Sequence, residues 1–173
     1  MSIDYTLLLG ARDGSAQDLA VRLPDALARL LGVAANGYGV FVQPGLVTTT
    51  RIFGTTSTDA RSTALAELRF GFVPTADVGF SPDTQVDDDL YRAAVARMVE
   101  TAVALAVVLG ARAVLVLNGE LLVLRVGDGT IELNSGWSGW STWGLADALT
   151  GRLSAWFGAP VAEAVRLAPL DSP

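Results

Sequence analysis

The sequence predicts an α+β fold in which a mostly antiparallel sheet packs against a long central helix and a C-terminal helix. Residues 90–109 form an apolar-rich segment with helical spacing that follows three consecutive aspartates. Short strand-like segments lie on both sides of it, separated by glycine-containing turns. The chain shows no doubly wound strand–helix–strand repeat and no linker, so we expect residues 1–173 to form a single domain.

Several segments of the N-terminal half carry strand signals. Residues 65–73 alternate apolar Leu68, Phe70 and Phe72 with charged residues or glycine, which predicts a strand with one buried face. Apolar or β-branched runs near glycine and proline predict four further strands, at residues 3–9, 38–43, 47–53 and 77–80.

Proline, glycine and aspartate indicate where the helices begin and end. Pro24 suits the first position of a helix, so a short helix is predicted at residues 24–31, with Gly32 as its stop. Because proline interrupts a helix interior, the sequence leaves open whether residues 15–22 form a separate helical turn. The three aspartates before residue 90 suit the start of the central helix, where carboxylates interact well with unpaired N–H groups.

Tight turns organise the C-terminal half. Asn118-Gly119 and Asp128-Gly129 predict two hairpins, because both pairs tolerate the positive φ angles of short turns. The resulting three-stranded meander is expected at residues 113–117, 121–126 and 130–133. A helix is predicted at residues 145–157, and the tail after it is expected to pack as another short element.

The residue types that the chain lacks restrict its chemistry. It contains no cysteine and no histidine, which removes thiolate nucleophiles, disulfides, the usual general base and the commonest zinc ligand. We therefore expect no catalytic residue, no metal and no cofactor. An enzyme that uses carboxylates alone stays open, but nothing places Glu120 and Glu132 together in a cleft.

The charge balance indicates which partners suit the chain. A net charge of −6 disfavours nucleic acid and anionic membranes and is compatible with a basic protein partner. The uncharged run at residues 101–111 is far shorter than the roughly 20 residues that a spanning helix needs. The first residues also lack the features of a signal peptide, so a cytoplasmic location is expected.

The first candidate site is an acidic segment that contains five aspartates and no basic residue: Asp77, Asp83, Asp87, Asp88 and Asp89. One interpretation is a surface that docks against a cationic partner and accelerates association by steering. The alternatives are a solvated loop with an acidic helix start, and a divalent-metal site. The metal is disfavoured, because consecutive helical residues point in different directions and the calcium-loop spacing is missing.

The second candidate site is a cluster formed by Trp137, Trp140 and Trp143. Exposed tryptophans are strong binding anchors, since each buries a large area with few rotatable bonds. The same rings could instead cover the open end of the sheet as part of the core, or line a groove for a carbohydrate or an aromatic ligand. We interpret both the tryptophans and the aspartates as partner-binding residues.

Several segments also carry a family resemblance, in order along the chain. They are the strand at residues 3–9, the stretches 70–75 and 77–80, the aspartate-led helix, the hairpin at 114–120 and the Gly-Asp-Gly turn at 127–129. Together they resemble the swarm-inhibition (Sit-type) immunity proteins of bacterial polymorphic toxin systems, in particular the third of those families. One departure is residues 81–84, where a basic residue is expected in such relatives and none is present.

The resemblance implies a cytoplasmic protein that protects its producer against its own or a sibling's toxin, and it provides no catalytic residues. The sequence therefore predicts a protein that neutralises a cognate toxin by occlusion, without catalysis. Two alternatives stay open. One is a self-assembling module whose apolar surplus forms a homo-oligomer interface. The other is a small-molecule-binding domain or a carboxylate-based enzyme.

Overall fold

A computed structural model of the chain describes residues 3–12, 16–36, 38–54 and 57–170. Within them, the strands are β1 (Tyr5–Ala11), β2 (Val40–Gln43), β3 (Leu46–Ile52), β4 (Ala76–Pro82), β5 (Ala111–Leu117), β6 (Leu121–Gly127), β7 (Thr130–Asn134) and β8 (Val165–Ala168). The helices are α1 (Ala16–Leu31), α2 (Ser57–Phe70), α3 (Asp88–Leu109), α4 (Gly139–Thr142), α5 (Leu145–Phe157) and α6 (Ala159–Ala162).

The strands form one sheet with the order β2-β3-β4-β1-β5-β6-β7-β8. Neighbouring strands are antiparallel except for β7 and β8, which are parallel and connected through α4, α5 and α6. Strand β1 lies in the middle, where Leu7 is opposite both Val78 and Leu115. The prediction of an α+β fold with a mostly antiparallel sheet is confirmed.

One face of the sheet carries α1, α3 and α5, and the main core lies between them. Leu7, Leu9, Phe80 and Leu115 are fully buried on this face and pack against a layer in which α3 is central. Burying one such side chain contributes about 1.5–3 kcal/mol relative to leaving it exposed, so this face provides most of the stabilisation. We call it the helix face.

The opposite face of the sheet, which we call the open face, has a smaller core of its own. Val114, Val116 and Leu122 are buried there and pack against the partly buried rings of Phe70 and Phe72. Phe70 is the last residue of α2, and Phe72 lies in the connection to β4. The C-terminal end of α2 and the connection after it therefore cover part of the open face.

The strand predicted at residues 65–73 is wrong, because most of that segment belongs to α2. Leu68 alternates with Phe70 in sequence, but the helix turns Leu68 out to 82% exposure while Ala66 is buried. The apolar residues that produced the period-two pattern thus lie on different sides of a helix. The first turn of α2 carries Asp59, whose carboxylate accepts a hydrogen bond from the Gly54 N–H at 3.0 Å.

The helix predicted to begin at Pro24 is longer than expected, since α1 continues through Pro24 without a break. Its buried residues Leu19, Leu23, Leu27 and Leu31 form one stripe along the whole helix, and their packing outweighs the hydrogen bond that proline removes. The open question about residues 15–22 is answered from Ala16 onward, and residue 15 lies outside the described residues.

The other predicted elements are present, and α4 is a further short helix that was not predicted. Helix α3 has Asp87 as its N-cap and Gly110 as its C-cap, the latter with φ 61°. Both hairpin pairs adopt positive φ, with 50° at Asn118 and 50° at Asp128. The tail forms α6 and β8. No helix in the described part of the chain has the length and hydropathy needed to cross a membrane.

Candidate functional site

The three consecutive aspartates stand at the start of α3, and each has a different environment. Asp87 caps the helix, because its Oδ1 accepts a hydrogen bond from the Leu90 N–H at 2.9 Å. Asp88 and Asp89 lie in the first helical turn and are exposed. Asp89 makes a loose contact with Arg92, with 3.7 Å between the Asp89 Oδ1 and the Arg92 Nη1. Two carboxylates therefore remain accessible next to one that has a structural role.

Asp83 lies in the loop between β4 and α3 and is also exposed. Its Oδ1 accepts a hydrogen bond from the Gln85 N–H at 2.9 Å, which forms a local turn. Its own N–H donates to the Gly45 carbonyl at 2.9 Å, in the turn between β2 and β3. These two bonds hold the loop, so that Asp83 and the start of α3 share one end of the molecule.

Asp77 lies apart from the other four aspartates, on the open face of β4. Its Oδ2 accepts a hydrogen bond from Arg51 Nε at 2.9 Å, and its side chain is only 14% exposed. Burial raises the pKa of Asp77, while the guanidinium of Arg51 acts in the opposite direction. The acidic segment of the sequence is therefore divided between two places in the fold.

The tryptophan cluster is packed into the same end of the sheet as the start of α3. The Trp137 ring lies edge-on to Trp140 at 4.7 Å and to Trp143 at 6.2 Å between centroids. Trp137 is 6% exposed and Trp140 is 2% exposed, whereas Trp143 is half-buried. A Cβ on Gly139 would lie 2.5 Å from the Trp137 ring, so glycine is needed for this close packing. Trp137 and Trp140 thus form a lid of the core.

Tyr91 joins the acidic and aromatic features. It lies in the first turns of α3, and its ring meets Trp143 edge-on at 5.9 Å between centroids. Burial raises the pKa of the Tyr91 hydroxyl and that of the Tyr5 hydroxyl. Tyr91 was not among the predicted site residues, although its position three residues after Asp88 marks it as part of the same helix face. We call Asp83, Asp88, Asp89, Tyr91 and Trp143 the acidic–aromatic end.

The geometry offers little for catalysis by carboxylates. Within the ranges that the structure describes, no group of three or more acidic residues is close enough to hold a metal ion. Glu132 faces Arg125, with 3.9 Å between the Glu132 Oε2 and the Arg125 Nη1. Glu120 is exposed in the turn between β5 and β6.

Comparison with curated proteins and with solved structures gives little information about the chain. No curated protein matches the chain in sequence. Among solved structures, an amidase of the hydantoinase/carbamoylase family from Burkholderia multivorans is similar at 13% identity and a TM-score of 0.31. That match covers 99% of this chain and 35% of the amidase chain, and at this TM-score it carries no argument about fold or activity.

A family comparison is more informative. The model of a family described as SitI3-like matches residues 3–143, which include β1 to β7, the start of α3 and the tryptophan cluster. The match covers well over half of the chain and agrees with the resemblance to Sit-type immunity proteins. The chain therefore belongs to the SitI3-like family.

Proposed function

We propose that this protein is a cytoplasmic immunity protein that binds a cognate bacterial toxin and neutralises it by occlusion, without catalysis. Membership of the SitI3-like family supports this function. The composition is consistent with it, since a chain without histidine and cysteine has few groups for acid–base or nucleophilic chemistry. Binding energy, by contrast, requires only a suitable surface.

The observation that carries the binding site is the contact between Tyr91 and Trp143 at 5.9 Å. Tyr91 follows Asp88 by three residues, so this half-buried aromatic surface lies on the same helix face as the exposed Asp88 carboxylate, and Asp89 is exposed in the same first turn. A cationic region of the toxin would be steered by the carboxylates, and apolar side chains would then pack on the rings. The eight predicted partner-binding residues have different roles in this proposal.

Asp83, Asp88 and Asp89 provide accessible charge, and Trp143 provides accessible aromatic surface. Asp87 keeps the helix start in place through its cap. Trp137 and Trp140 support the surface from below, and a stiff support lowers the conformational entropy that binding has to remove. Asp77 is paired with Arg51 on the open face and does not contribute to this end.

The proposal is tested by co-expressing candidate toxin genes from the neighbourhood of this gene with either the wild-type chain or a variant. The wild type is expected to restore growth. The double variant Asp88→Asn/Asp89→Asn removes two exposed charges while keeping the cap, and should protect less well. The matched control is Asp25→Asn/Asp147→Asn, which removes two exposed carboxylates from α1 and α5 and should protect like the wild type.

The outcomes separate the protein's function from the location of its site. Growth that the wild-type chain does not restore, against any neighbouring toxin, would contradict the immunity function. Rescue by all three chains to the same degree would support immunity but place the toxin contact outside the acidic–aromatic end.

A further inference from the structure

A polar cleft lies on the open face, outside the acidic–aromatic end. It has a volume of about 210 Å³. The residues that line it include Phe70, Phe72, Arg112, Arg125 and Asp128. Two guanidinium groups and one carboxylate line this small cleft, so its lining has a positive balance in a chain of net charge −6. Nothing in the proposed binding site uses these residues.

The sheet register places the two arginines side by side. Arg125 on β6 is opposite Val114 on β5, and Arg112 precedes Val114 by two residues on the same strand. Side chains two apart on a strand point to the same face, so both arginines project from the open face as diagonal neighbours. Like charges in such positions repel each other, and an anion between them would relieve that repulsion.

Neither arginine is strongly engaged within the described residues. Arg112 Nη2 lies 3.5 Å from Asp128 Oδ1, and Arg125 Nη1 lies 3.9 Å from Glu132 Oε2. A charge-assisted hydrogen bond has a length of about 2.7–2.9 Å, so both contacts are loose. In addition, the Nε of Arg112 is buried and has no hydrogen-bond partner among the described residues. Leaving such a donor buried without a partner is unfavourable, and an acceptor bound against this guanidinium would relieve that cost.

Phe70 and Phe72 form the apolar wall of the cleft. Gly71 between them has φ 76°, a conformation that glycine adopts easily and that reverses the chain. Phe72 packs so closely on Gly10 that a Cβ there would lie 2.3 Å from the ring, so the ring position is fixed. An apolar wall lowers the local dielectric and strengthens the interaction of the guanidinium groups with an anion.

We propose that this cleft binds a small oxyanion, a carboxylate or a phosphate, between Arg112 and Arg125. Guanidinium groups match both ions because they donate two parallel hydrogen bonds to neighbouring oxygens. The volume suits a group of this size, since pockets for drug-sized ligands have volumes of about 300–1,000 Å³. Asp128 competes with the ligand for Arg112, and at 83% side-chain exposure it is free to move aside. The inference is independent of the proposed function.

The test follows the Nε–H resonances of the arginines by NMR while the full chain is titrated with sodium phosphate, sodium succinate or sodium chloride at matched ionic strength. The Arg112 signal is expected to shift and saturate with phosphate, succinate or both. The anion that saturates it identifies the source. Chloride should produce only a small, linear change, as general screening does.

Three variants make the test specific. Arg125→Gln should lower the affinity for the anion about tenfold or more, because one of the two guanidinium groups is lost. Asp128→Asn should raise the affinity for the anion about twofold to fivefold, because it removes the competing carboxylate. Asparagine also tolerates the φ of 50° at this position, so the turn should be kept. Arg29→Gln, which changes an arginine of α1 in the helix layer, should have no effect.

Equal linear shifts with all three salts would overturn the proposal. So would saturation by phosphate or succinate that is the same in Arg125→Gln as in the wild type. A gain of affinity in Asp128→Asn cannot result from unfolding, so this variant keeps the test informative even if Arg125→Gln does not fold.

Discussion

Asp87, Asp88 and Asp89 illustrate how one residue type acquires different roles from its backbone position. Asp87 has extended backbone angles, φ −63° and ψ 159°, which direct its carboxylate back to the Leu90 N–H. The next two residues already have helical geometry and cannot make that bond. The run of aspartates was enough to predict the helix start from the sequence, because capping depends only on local geometry.

The different roles of Asp87 and Asp88 predict different effects of their substitution on the free energy of unfolding. Asp87→Ala is expected to lower the free energy of unfolding by about 0.5–2 kcal/mol, since an N–H of the first turn loses its acceptor. Asp88→Ala should change it by less than about 0.5 kcal/mol, as is usual for an exposed surface position. Urea denaturation at neutral pH compares the two variants. Equal losses would contradict the assignment of Asp87 as the cap.

The Asp77–Arg51 pair was beyond sequence reasoning, because it depends on the register between β3 and β4. Arg51 is directly opposite Asp77 in that register. Without the register, Asp77 is one more aspartate in an acidic segment. The same limit applies to Tyr91 and Trp143, whose contact joins two distant parts of the chain.

Asp77 also predicts a pH dependence of stability. Burial raises the folded-state pKa of Asp77 above its ordinary value of 3.8. Below that value the carboxyl is protonated in both the folded and the unfolded state and resembles asparagine. As the pH rises through the folded-state pKa, the folded state is penalised by ionisation more than the unfolded state is. The wild type therefore loses this part of its stability as the pH rises.

The variant Asp77→Asn isolates the effect. Its free energy of unfolding relative to the wild type should increase between pH 3 and pH 7, as measured by urea denaturation at each pH. A relative stability that decreases over the same range would mean that the attraction of Arg51 outweighs burial.

At the scale of elements, α2 marks the limit of pattern reasoning. Strands and helices can both bring Ala66 and Phe70 to the sheet, so the apolar spacing of this short segment was ambiguous. The deciding contacts are tertiary, with Phe70 and Phe72 packed on Val114 and its neighbours. The central helix and the two hairpins could be predicted, because their caps and turn residues are local and specific.

A pair of substitutions distinguishes the helix from the predicted strand. In the helix, Leu68 is 82% exposed, so Leu68→Ser should change the free energy of unfolding by less than about 0.5 kcal/mol. Phe70→Ala removes a half-buried ring from the open-face core and should cost about 1–3 kcal/mol. In a strand both side chains would share the buried face. Comparable losses in thermal or urea denaturation would therefore favour the strand.

At the scale of the whole molecule, opposite charges are concentrated in different places. Exposed carboxylates gather at the start of α3, while Arg112 and Arg125 converge on the open face. A net charge describes neither feature, and only the sheet order brings the members of each together. The sequence left open whether the tryptophans bind a partner or cover the core. The structure buries Trp137 and Trp140 and leaves Trp143 half-buried, a difference that the sequence could not predict because exposure depends on what packs above a ring.

The central claim is that the protein binds a toxin in a stoichiometric complex through its acidic–aromatic end. Titration calorimetry of the purified chain into the purified neighbouring toxin tests it most directly. We expect saturation at a fixed stoichiometry and weaker binding as salt rises. Asp88→Asn/Asp89→Asn should lose about twofold to thirtyfold in affinity, and the Asp25→Asn/Asp147→Asn control should not. Absence of binding, or neutralisation of the toxin at far below equimolar amounts, would contradict occlusion.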